Sequence, residues 1–389
     1  MTDSTPEFSC FAVVAPGLEP FALAEAQSLG LNAVAEEGGV AWRGDARSAL
    51  VANTALRIPS RVLVRLASFE ARSFAELERH ARKIAWDRVL RPGDAVRFRV
   101  TCKKSKLYHS DAVAQRLADA VMRAVTGVRA EGGSASDDEP DDGGDDVALI
   151  VVRLMRDRCT VSADSSGALL HRRGYRLATA KAPLRETIAA AMLAASQWDG
   201  ISPLVDPLCG SGTILIEGAL QARQIAPGAH RRFAMERWPT VSASLGERVR
   251  AELAERERPR TEAKIIGSDR DAGAIAAATS NADRAGVAGD VSMAVRALSA
   301  AVFPAAQRGW IVTNPPYGVR TGEADRVRDL WAQLGNVLRD RAPGWRLALL
   351  SPDAALERQL KIPVRAAASI SHGGIPVRIM IGEIPECQS

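Results

Sequence analysis

The sequence is poor in the features that mark disulfide-stabilised, zinc-binding and membrane proteins. Its 389 residues include five cysteines, an odd number without a Cys-x-x-Cys pair, which argues against a disulfide framework and against a zinc site. No apolar run approaches the roughly eighteen residues of a membrane-spanning helix, and residues 1–10 lack the shape of a signal peptide. With 47% apolar residues, the chain is long enough for two or three domains. We therefore expect a soluble cytoplasmic protein without a metal site.

A glycine-rich turn follows a short apolar run at residues 201–205. The run, the turn and the apolar stretch after it predict a strand, a tight turn and the start of a helix, which together hold a nucleotide-like cofactor. The turn lacks the third glycine of a dinucleotide fingerprint, because position 215 is leucine, and it lacks the lysine of a P-loop. An acid at its head instead suits the sulfonium and amino-acid ends of S-adenosylmethionine. The predicted cofactor-binding residues are Asp206, Pro207, Cys209, Gly210, Gly212, Thr213, Asp269 and Arg270.

Two of these residues are acids placed at the ends of predicted strands. Residues 263–268 have the pattern of a strand that ends at Asp269, whose carboxylate can accept hydrogen bonds from both ribose hydroxyls. Alternatively, Asp206 and Asp269 each cap the helix that follows. We favour the cofactor role because both acids come at strand ends in the expected order. Cys209 is interpreted as a packing residue rather than a catalytic thiol.

The predicted catalytic residues follow a buried-strand pattern at residues 310–313; they are Asn314, Pro315, Pro316 and Tyr317. The lone pair of an exocyclic amine is delocalised into its base. The Asn314 side-chain oxygen and the Pro315 carbonyl can both accept hydrogen bonds from that NH2 and localise the pair toward the methyl group. Prolines would hold the acceptors rigid, and Tyr317 offers a face for the base to stack on. The motif predicts methyl transfer to an exocyclic nitrogen, without distinguishing guanine N2 from adenine N6; the alternative is a plain proline turn.

Positive charge and tyrosine fall together along the chain. Residues 131–146 hold eight acids and no base, so they are predicted to be a disordered loop. Two basic segments, 97–106 and 171–185, contain no acid, and two of the three tyrosines lie beside or within them. Basic side chains interleaved with stacking faces are typical of an RNA-binding surface, whereas a solvated face is the alternative. The predicted RNA contacts are Lys103, Lys104, Lys106, Tyr108, Arg172, Arg173 and Tyr175.

The order of apolar patterns divides the chain into three parts. Residues 1–60 and 61–170 each have the pattern of a small α+β unit, the second containing the acidic loop. In residues 171–389, after a linker at 170–182, helices alternate with strands, which predicts a doubly wound sheet. Its strands are expected near positions 203, 265, 292, 311, 347 and 364.

Taken together, these segments resemble the THUMP-domain RNA guanine-N2 methyltransferases, and most closely those that modify 23S ribosomal RNA in bacteria. The resemblance is carried by residues 98–109, 170–176, 182–186, 206–213, 236–239, 267–271 and 313–318. It implies an α/β fold with a Rossmann-like S-adenosylmethionine-dependent methyltransferase domain, preceded by an α+β ferredoxin-like unit (1–60) and a THUMP RNA-binding domain (61–170). Where the family usually has an acid for the adenine amino group, this sequence has Ala297. The chain also lacks the second methyltransferase domain that is fused to this enzyme in some bacteria, which implies a stand-alone N-terminal half.

The activity implied by the resemblance is methylation of a guanine N2 in 23S ribosomal RNA, either naked or in a ribosome assembly intermediate. Alternatives are the guanine N2 of a transfer RNA and the adenine N6 of a nucleic acid. A non-catalytic RNA-binding protein is less favoured, since both motifs are intact. A protein glutamine methyltransferase is also less favoured, because the basic segments point to RNA.

Overall fold

The computed structural model describes residues 7–134, 147–176, 184–304, 308–317 and 324–386. Most of the acidic segment predicted to be a loop therefore lies outside the described residues, as does part of the predicted linker, residues 177–182. The first four residues of the acidic segment belong to a strand, so the loop prediction is wrong for residues 131–134.

The N-terminal part of the chain forms one mixed sheet of eight strands in the order β2-β3-β1-β4-β8-β7-β5-β6. Its elements are β1 (Phe8–Val13), α1 (Glu19–Ser28), β2 (Val34–Glu36), β3 (Gly39–Gly44), α2 (Ala46–Ala55), β4 (Arg61–Glu70), α3 (Phe74–Ala81), β5 (Ala95–Lys103), α4 (Ser110–Ala124), β6 (Arg129–Ser134), β7 (Val147–Met155) and β8 (Arg158–Asp164). β5 runs parallel to β6 and β7, and the other pairs are antiparallel.

Local sequence explains these elements. In β5 the side chains of Val96, Phe98 and Val100 are buried, while Arg97 and Arg99 alternate with them on the other face, as the two-residue period of a strand requires. Helix α2 begins after Asp45, whose carboxylate accepts a hydrogen bond from the Ser48 amide at 2.8 Å.

The two predicted α+β units share this sheet. The expected boundary at residues 60 and 61 falls directly before β4, and β4 pairs with β1 on one side and with β8 on the other. Val64 lies opposite Cys10 in the first pair and opposite Ala163 in the second. Backbone hydrogen bonds therefore run continuously across the predicted boundary.

The C-terminal part contains a second sheet, with seven strands in the order β11-β10-β9-β12-β13-β15-β14. Its elements are α5 (Glu186–Ser196), β9 (Leu204–Asp206), α6 (Thr213–Ala222), α7 (Leu245–Ala254), β10 (Ile265–Asp269), α8 (Ala272–Arg284), β11 (Val291–Val295), β12 (Trp310–Thr313), α9 (Ala324–Arg341), β13 (Arg346–Ser351), α10 (Ala354–Leu360), β14 (Val364–His372) and β15 (Ile375–Glu383). All six predicted strands are present.

The seventh strand, β15, was missed. It joins β14 in a hairpin through Gly373 and Gly374, which have φ angles of +58° and +80°, and it lies antiparallel between β13 and β14. Two consecutive glycines between apolar stretches favour a two-residue hairpin turn, so the sequence did hold a signal for it.

The strand order places a crevice beside β9. Because β10 lies on one side of β9 and β12 on the other, the chain direction of the crossovers reverses there, and α/β sheets bind ligands outside the carboxyl ends of the strands at such a point. One continuous core contains buried apolar side chains from both sheets. A separate cluster in the C-terminal part includes Val205, Ile311 and Leu347 of the seven-stranded sheet. In the part of the chain that the structure describes, we find no helix that is both long and apolar enough to cross a lipid bilayer.

Candidate active site

The two motifs predicted from the sequence end on neighbouring strands. β9 and β12 are parallel, with Ile311 opposite Val205, so Asp206 and the residues after Thr313 emerge at the same edge of the sheet. The Thr313 hydroxyl donates a hydrogen bond to Oδ1 of Asp206 at 2.7 Å. This bond ties the glycine turn to the start of the Asn-Pro-Pro-Tyr segment.

The two glycines of the turn have different roles. Gly210 has a φ of +50°, and a side chain at that position would meet no atom within 4 Å, so its backbone borders open space. Gly212 has a φ of +79°, and a Cβ there would lie 3.0 Å from the Cβ of Ala278 on α8. Gly210 thus leaves room for a ligand to approach the backbone, whereas Gly212 allows α6 to pack against α8.

The two acids differ in environment. Asp206 is 2% exposed, and burial raises the pKa of its carboxyl to about 7. Asp269 is partly exposed; its Oδ2 accepts a hydrogen bond from the Gly210 amide at 3.0 Å and its Oδ1 accepts one from the Asp271 amide at 3.0 Å. Asp269 therefore supports the glycine turn while part of its carboxylate faces the crevice.

Neither acid caps the helix that follows it, so the capping interpretation is wrong. Helix α6 begins after Gly212 without a side-chain cap, and α8 is capped by Asp271, which accepts hydrogen bonds from the amides of Gly273 and Ala274. Instead, the Asp206 carboxylate accepts from Thr313 at the end of β12, and the Asp269 carboxylate accepts from Gly210 in the glycine turn.

Two cavities adjoin the turn and share Leu208, Gly210 and Asn314 as lining residues. The larger has a volume of about 880 Å³, within the usual size of a small-molecule site. Of the predicted site residues, it is lined by Pro207, Gly210, Asp269, Arg270, Asn314 and Pro316. The smaller has about 420 Å³ and is lined by Asp206, Cys209, Gly210, Thr213 and Asn314. The strand ends therefore form one crevice on both sides of Gly210.

The acceptor segment contains an unpaired oxygen. Oδ1 of Asn314 is shielded from solvent and has no hydrogen-bond donor among the described residues. Buried acceptors are nearly always paired, so this oxygen is available to a ligand donor. Indole Nε1 of Trp331 donates a hydrogen bond to the Pro316 carbonyl at 3.0 Å, and the Tyr317 hydroxyl lies 2.7 Å from Nδ1 of His372. The segment is thus fixed on both α9 and the β14–β15 hairpin.

Cys209 is a packing residue in this turn. It is 7% exposed, and burial raises the pKa of its thiol, which disfavours the reactive thiolate. A side chain on Gly267 would lie 3.1 Å from its Sγ, so the glycine leaves room for the thiol. Cys209 therefore fills space between the turn and β10.

The first predicted RNA-binding cluster is exposed. Lys103, Lys104 and Lys106 lie at the end of β5, and Tyr108 is 69% exposed. The tertiary structure adds three exposed arginines: Arg72 after β4, and Arg156 and Arg158 where β7 turns into β8. The Arg156 amide donates a hydrogen bond to the Lys103 carbonyl at 3.2 Å. Asp157 accepts a hydrogen bond from the Lys106 amide at 2.7 Å and forms an ion pair with Arg72 at 3.6 Å. We call these residues (72, 103, 104, 106, 156 and 158) the β5 basic patch.

The second predicted cluster is mostly internal. Arg172 is exposed, but Arg173 and Tyr175 are only 8% and 3% exposed, so the prediction that these two contact RNA is wrong. The Tyr175 hydroxyl donates to Oε1 of Glu217 at 3.0 Å, and Nε of Arg173 lies 3.6 Å from the same oxygen. Glu217 on α6 is fully buried and needs such partners, which is why these side chains point inward.

Comparison with known proteins places this geometry in a family. Residues 173–373, more than half of the chain, match the model of the RMKL-like methyltransferase domain, and residues 9–63 match that of the RlmL ferredoxin-like domain. The chain belongs to the RMKL-like methyltransferase family. These matches confirm the predicted fold, in which a ferredoxin-like unit precedes a Rossmann-like methyltransferase domain of the S-adenosylmethionine-dependent type. The predicted cofactor, S-adenosylmethionine, is confirmed by the methyltransferase domain together with a structural neighbour that is complexed with SAH.

Relatives in this family match nearly the whole chain. A Synechocystis protein, slr0064, provisionally named an RNA methyltransferase, is 34% identical over 96% of both chains. The ribosomal RNA large subunit methyltransferase K/L of Methylococcus capsulatus is 32% identical over 96% of this chain and 51% of its own, so the chain spans about half the length of that relative. Among solved structures, SMU.472, provisionally described as a methyltransferase and complexed with SAH, has a TM-score of 0.84 and 28% identity, covering 98% of this chain and 99% of its own.

The site residues fit the cofactor of this family. The backbone at Gly210 borders open space, and Asp269 lines the larger cavity beside it. Asn314 lines both cavities, and its Oδ1 has no donor in the part of the chain that the structure describes. Ala297 also lines the larger cavity, and it brings a methyl group where the family resemblance leads us to expect an acid.

Several residues of the crevice were missed in the sequence. Arg296 and the α9 residues Arg326, Asp329 and Gln333 line the larger cavity, and His372 contacts Tyr317. The α9 side chains belong to the polar face of an amphipathic helix, which looks the same whether it faces solvent or a ligand. His372 directly precedes the Gly373–Gly374 turn, which is a sequence signal for the hairpin but not for the contact with Tyr317.

Proposed function

We propose that this protein transfers the methyl group of S-adenosylmethionine to the exocyclic N2 of a guanine in 23S ribosomal RNA. The observation that carries the proposal is that Asn314 lines both cavities beside the glycine turn, while its buried Oδ1 has no hydrogen-bond donor among the described residues. A target NH2 would donate to that oxygen. The names of the relatives, an RNA methyltransferase and a ribosomal RNA large subunit methyltransferase, support RNA as the substrate class.

Three predicted residues would hold the cofactor, which supplies an electrophilic methyl group when bound. Asp269 would accept hydrogen bonds from its ribose hydroxyls, and the open backbone at Gly210 would let it approach closely. Asp206 would interact with its amino-acid end from the smaller cavity. Of the other predicted cofactor-binding residues, Pro207 and Arg270 line the larger cavity and would contact the cofactor there. Cys209 and Gly212 shape the turn by packing, and Thr213 does so by accepting a hydrogen bond from Arg176.

The chain's own contribution to the reaction is positioning. Oδ1 of Asn314 and the carbonyl of Pro315 would accept both hydrogens of the NH2 and direct its lone pair to the methyl group. The carbonyl of Pro316 is already engaged by Trp331, which leaves the Pro315 carbonyl as the second acceptor. Orienting the reactants in this way can lower the activation barrier by about 7–11 kcal/mol.

The β5 basic patch would bind the RNA backbone. It lies within residues 61–170, the part of the chain that we propose to be a THUMP RNA-binding domain. Its six exposed cations lie at the ends of neighbouring strands, near the ends of β4, β5 and β7 and at the start of β8. Phosphate contacts from such a patch would hold folded RNA while the target base leaves its stack. Ribosomal RNA, naked or in an assembly intermediate, is the proposed partner, and the cytoplasm the proposed location.

Adenine N6 is the second candidate target. A Listeria monocytogenes protein described as a predicted N6-adenine-specific DNA methylase has a TM-score of 0.83 and 29% identity, and it covers 96% of both chains. The Asn314 oxygen would accept from an adenine NH2 as well as from a guanine NH2. Guanine N2 is favoured because it is the target that the sequence resemblance implies. The K/L proteins, which match nearly the whole chain and are named ribosomal RNA methyltransferases, support RNA over DNA as the substrate.

Nucleoside mass spectrometry would test the proposal. Ribosomal and transfer RNA would be compared from cells with the gene, without it, and with the gene carrying Asn314→Ala. We expect N2-methylguanosine in 23S RNA to disappear in the last two strains. Loss of N6-methyladenosine, or loss confined to transfer RNA, would establish the alternative target, and unchanged nucleosides in all fractions would overturn the proposal.

A further inference from the structure

We propose that His372 is a positioning residue for the acceptor base, because it holds the hydroxyl of Tyr317 so that Tyr317 presents its ring face to the substrate. The inference rests on the proposed function. Its central observation is the 2.7 Å distance between the Tyr317 hydroxyl and Nδ1 of His372, two residues that lie 55 positions apart in the chain.

The sheet fixes His372 in place. His372 is the last residue of β14 and is 7% exposed, and it pairs with Ile375 across the hairpin turn. Gly373 and Gly374 both have positive φ angles, which other residues adopt with strain. The hairpin is joined to the sheet through β15 and β13, so the imidazole is held by strands rather than by a loop.

The acceptor segment needs such external anchors. Pro315 and Pro316 have no backbone N–H, so at these two positions the segment cannot donate a hydrogen bond to its surroundings. Two side-chain contacts compensate: Trp331 of α9 binds the Pro316 carbonyl at 3.0 Å, and His372 binds the Tyr317 hydroxyl. The two anchors come from different elements and fix the segment directly after Asn314 and Pro315, the proposed acceptors.

An engaged hydroxyl determines which part of Tyr317 is available. The oxygen is engaged by His372, and the ring packs against the buried core while staying partly exposed. The exposed part of the ring is therefore the surface left for a base, and the hydrogen bond restricts rotation of the ring about its side-chain torsions. A phenylalanine at 317 could still stack but could not be held by His372. Loss of either partner should therefore reduce turnover to a similar degree, without affecting the cofactor.

A double-mutant cycle would test this relation. Tyr317→Phe, His372→Leu and the double variant would be compared for kcat and KM on 23S RNA and for affinity toward S-adenosylhomocysteine. We expect each single variant to lower kcat about tenfold with unchanged cofactor affinity, and the double variant to be no slower than either. His372→Asn, which can place a polar atom near the position of Nδ1, should recover most of the rate. A hundredfold loss in the double variant, or wild-type kcat in His372→Leu, would overturn the proposal.

A spectroscopic measurement separates this inference from the proposed function. The chain has three tyrosines, so 3-fluorotyrosine labelling gives three ¹⁹F resonances, and the signal missing in Tyr317→Phe belongs to Tyr317. We expect His372→Leu and His372→Asn to shift that signal alone, and exposed His230→Asn, the matched control, to shift none. If neither His372 variant shifts the Tyr317 signal, the contact is absent, whatever the enzyme methylates. If Asn314→Ala keeps full activity, the proposed function fails, while the Tyr317 signal still reports whether the contact with His372 exists.

Discussion

Asp206, Asp269 and Asn314 lie at three strand ends of one crevice, yet their polar atoms are satisfied to different degrees. Asp206 is buried and accepts from Thr313, Asp269 is partly exposed and accepts from Gly210, and the Asn314 oxygen has no donor among the described residues. We propose that the first two combine support of the turn with ligand binding, and that the third accepts a hydrogen bond from the substrate. Each environment leads to a separate prediction.

Replacing Asn314 with alanine should lower methylation at least about a hundredfold, as loss of one preorganised hydrogen-bonding group does in other enzymes. Affinity for S-adenosylhomocysteine should stay within about twofold, because the lost oxygen acts on the target amine. Single-turnover kinetics and calorimetry on the same preparation measure the two effects. Turnover near that of the wild type would contradict the proposed mechanism.

Replacing Asp269 with alanine should weaken cofactor binding by about 1–3 kcal/mol, because a charged acceptor for the ribose is lost. Asp269→Asn should lose less cofactor affinity, since its side-chain amide oxygen can still accept a hydrogen bond from the Gly210 amide. Calorimetry measures both affinities, and circular dichroism checks that the variants remain folded. Equal affinity in wild type and a folded Asp269→Ala would remove this residue from the site.

The pKa of about 7 at Asp206 predicts how stability depends on pH. The unfolded chain releases this proton near pH 4, whereas the folded, unliganded protein retains it until about pH 7. Between those values the folded state binds more protons, so this group destabilises the fold as pH rises, at about 1.4 kcal/mol per pH unit, with little further change above pH 7. Urea unfolding from pH 5 to pH 8 should show a shallower decline for Asp206→Asn. Identical pH profiles would show that Asp206 titrates normally in the fold.

At the scale of elements, α6 connects the glycine turn to the N-terminal sheet. Its first residue, Thr213, accepts a hydrogen bond from Arg176, and one turn later Glu217 binds Tyr175 and faces Arg57 and Arg173 at 3.9 and 3.6 Å. Arg57 follows α2 of the N-terminal sheet and also donates to the carbonyl of Leu220 at 3.2 Å. The position of this helix is thus determined from both parts of the molecule.

Tyr175→Phe should destabilise the fold by about 1–3 kcal/mol, because Glu217 loses a donor in a buried site. Its affinity for RNA should not change, since the tyrosine is internal. Denaturant unfolding and a filter-binding assay give the two values, and Tyr108→Phe at the exposed tyrosine serves as a matched control with unchanged stability. Weaker RNA binding by Tyr175→Phe with full stability would restore the original interpretation of Tyr175 as a stacking face.

At the scale of the whole molecule, we propose that the two sheets have different functions, one in catalysis and the other in RNA binding. The seven-stranded sheet builds the crevice at the ends of β9, β10 and β12, and the eight-stranded sheet carries the β5 basic patch. The continuous core and the α6 contacts join the two sheets, so RNA bound at the proposed patch would be presented to the crevice.

Replacing Lys103, Lys104 and Lys106 together with glutamine should weaken RNA binding. The slope of log affinity against log salt concentration should become shallower by roughly two to three units, close to one unit per lost phosphate contact. Cofactor affinity should be unchanged. A control triple variant at the exposed Arg358, Lys361 and Arg365, around α10 and the start of β14, should keep the wild-type slope. The same slope in both triple variants would identify the patch as a solvated face.

The sequence by itself determined the parts of this protein that depend on neighbouring residues. The apolar runs, the glycine turn after residue 205 and the Asn-Pro-Pro-Tyr segment predicted strand ends and a cofactor crevice. They did so because strand and turn preferences are local, and because parallel strands bring their carboxyl ends to one edge. The acids were correctly placed at those ends for the same reason.

Only the tertiary structure decided which distant side chains meet. Arg173 and Tyr175 have the sequence pattern of a surface, but Glu217, 42 residues after Tyr175, draws them into the interior. His372 reaches Tyr317 across 55 residues, and Arg156 and Arg158 join the lysines of β5 through strand pairing. Sequence periodicity indicates whether a side chain faces a core, but the strand pairing and packing of the whole chain decide which distant groups come within contact distance. For Glu217 the reason is the pairing that a buried charge requires.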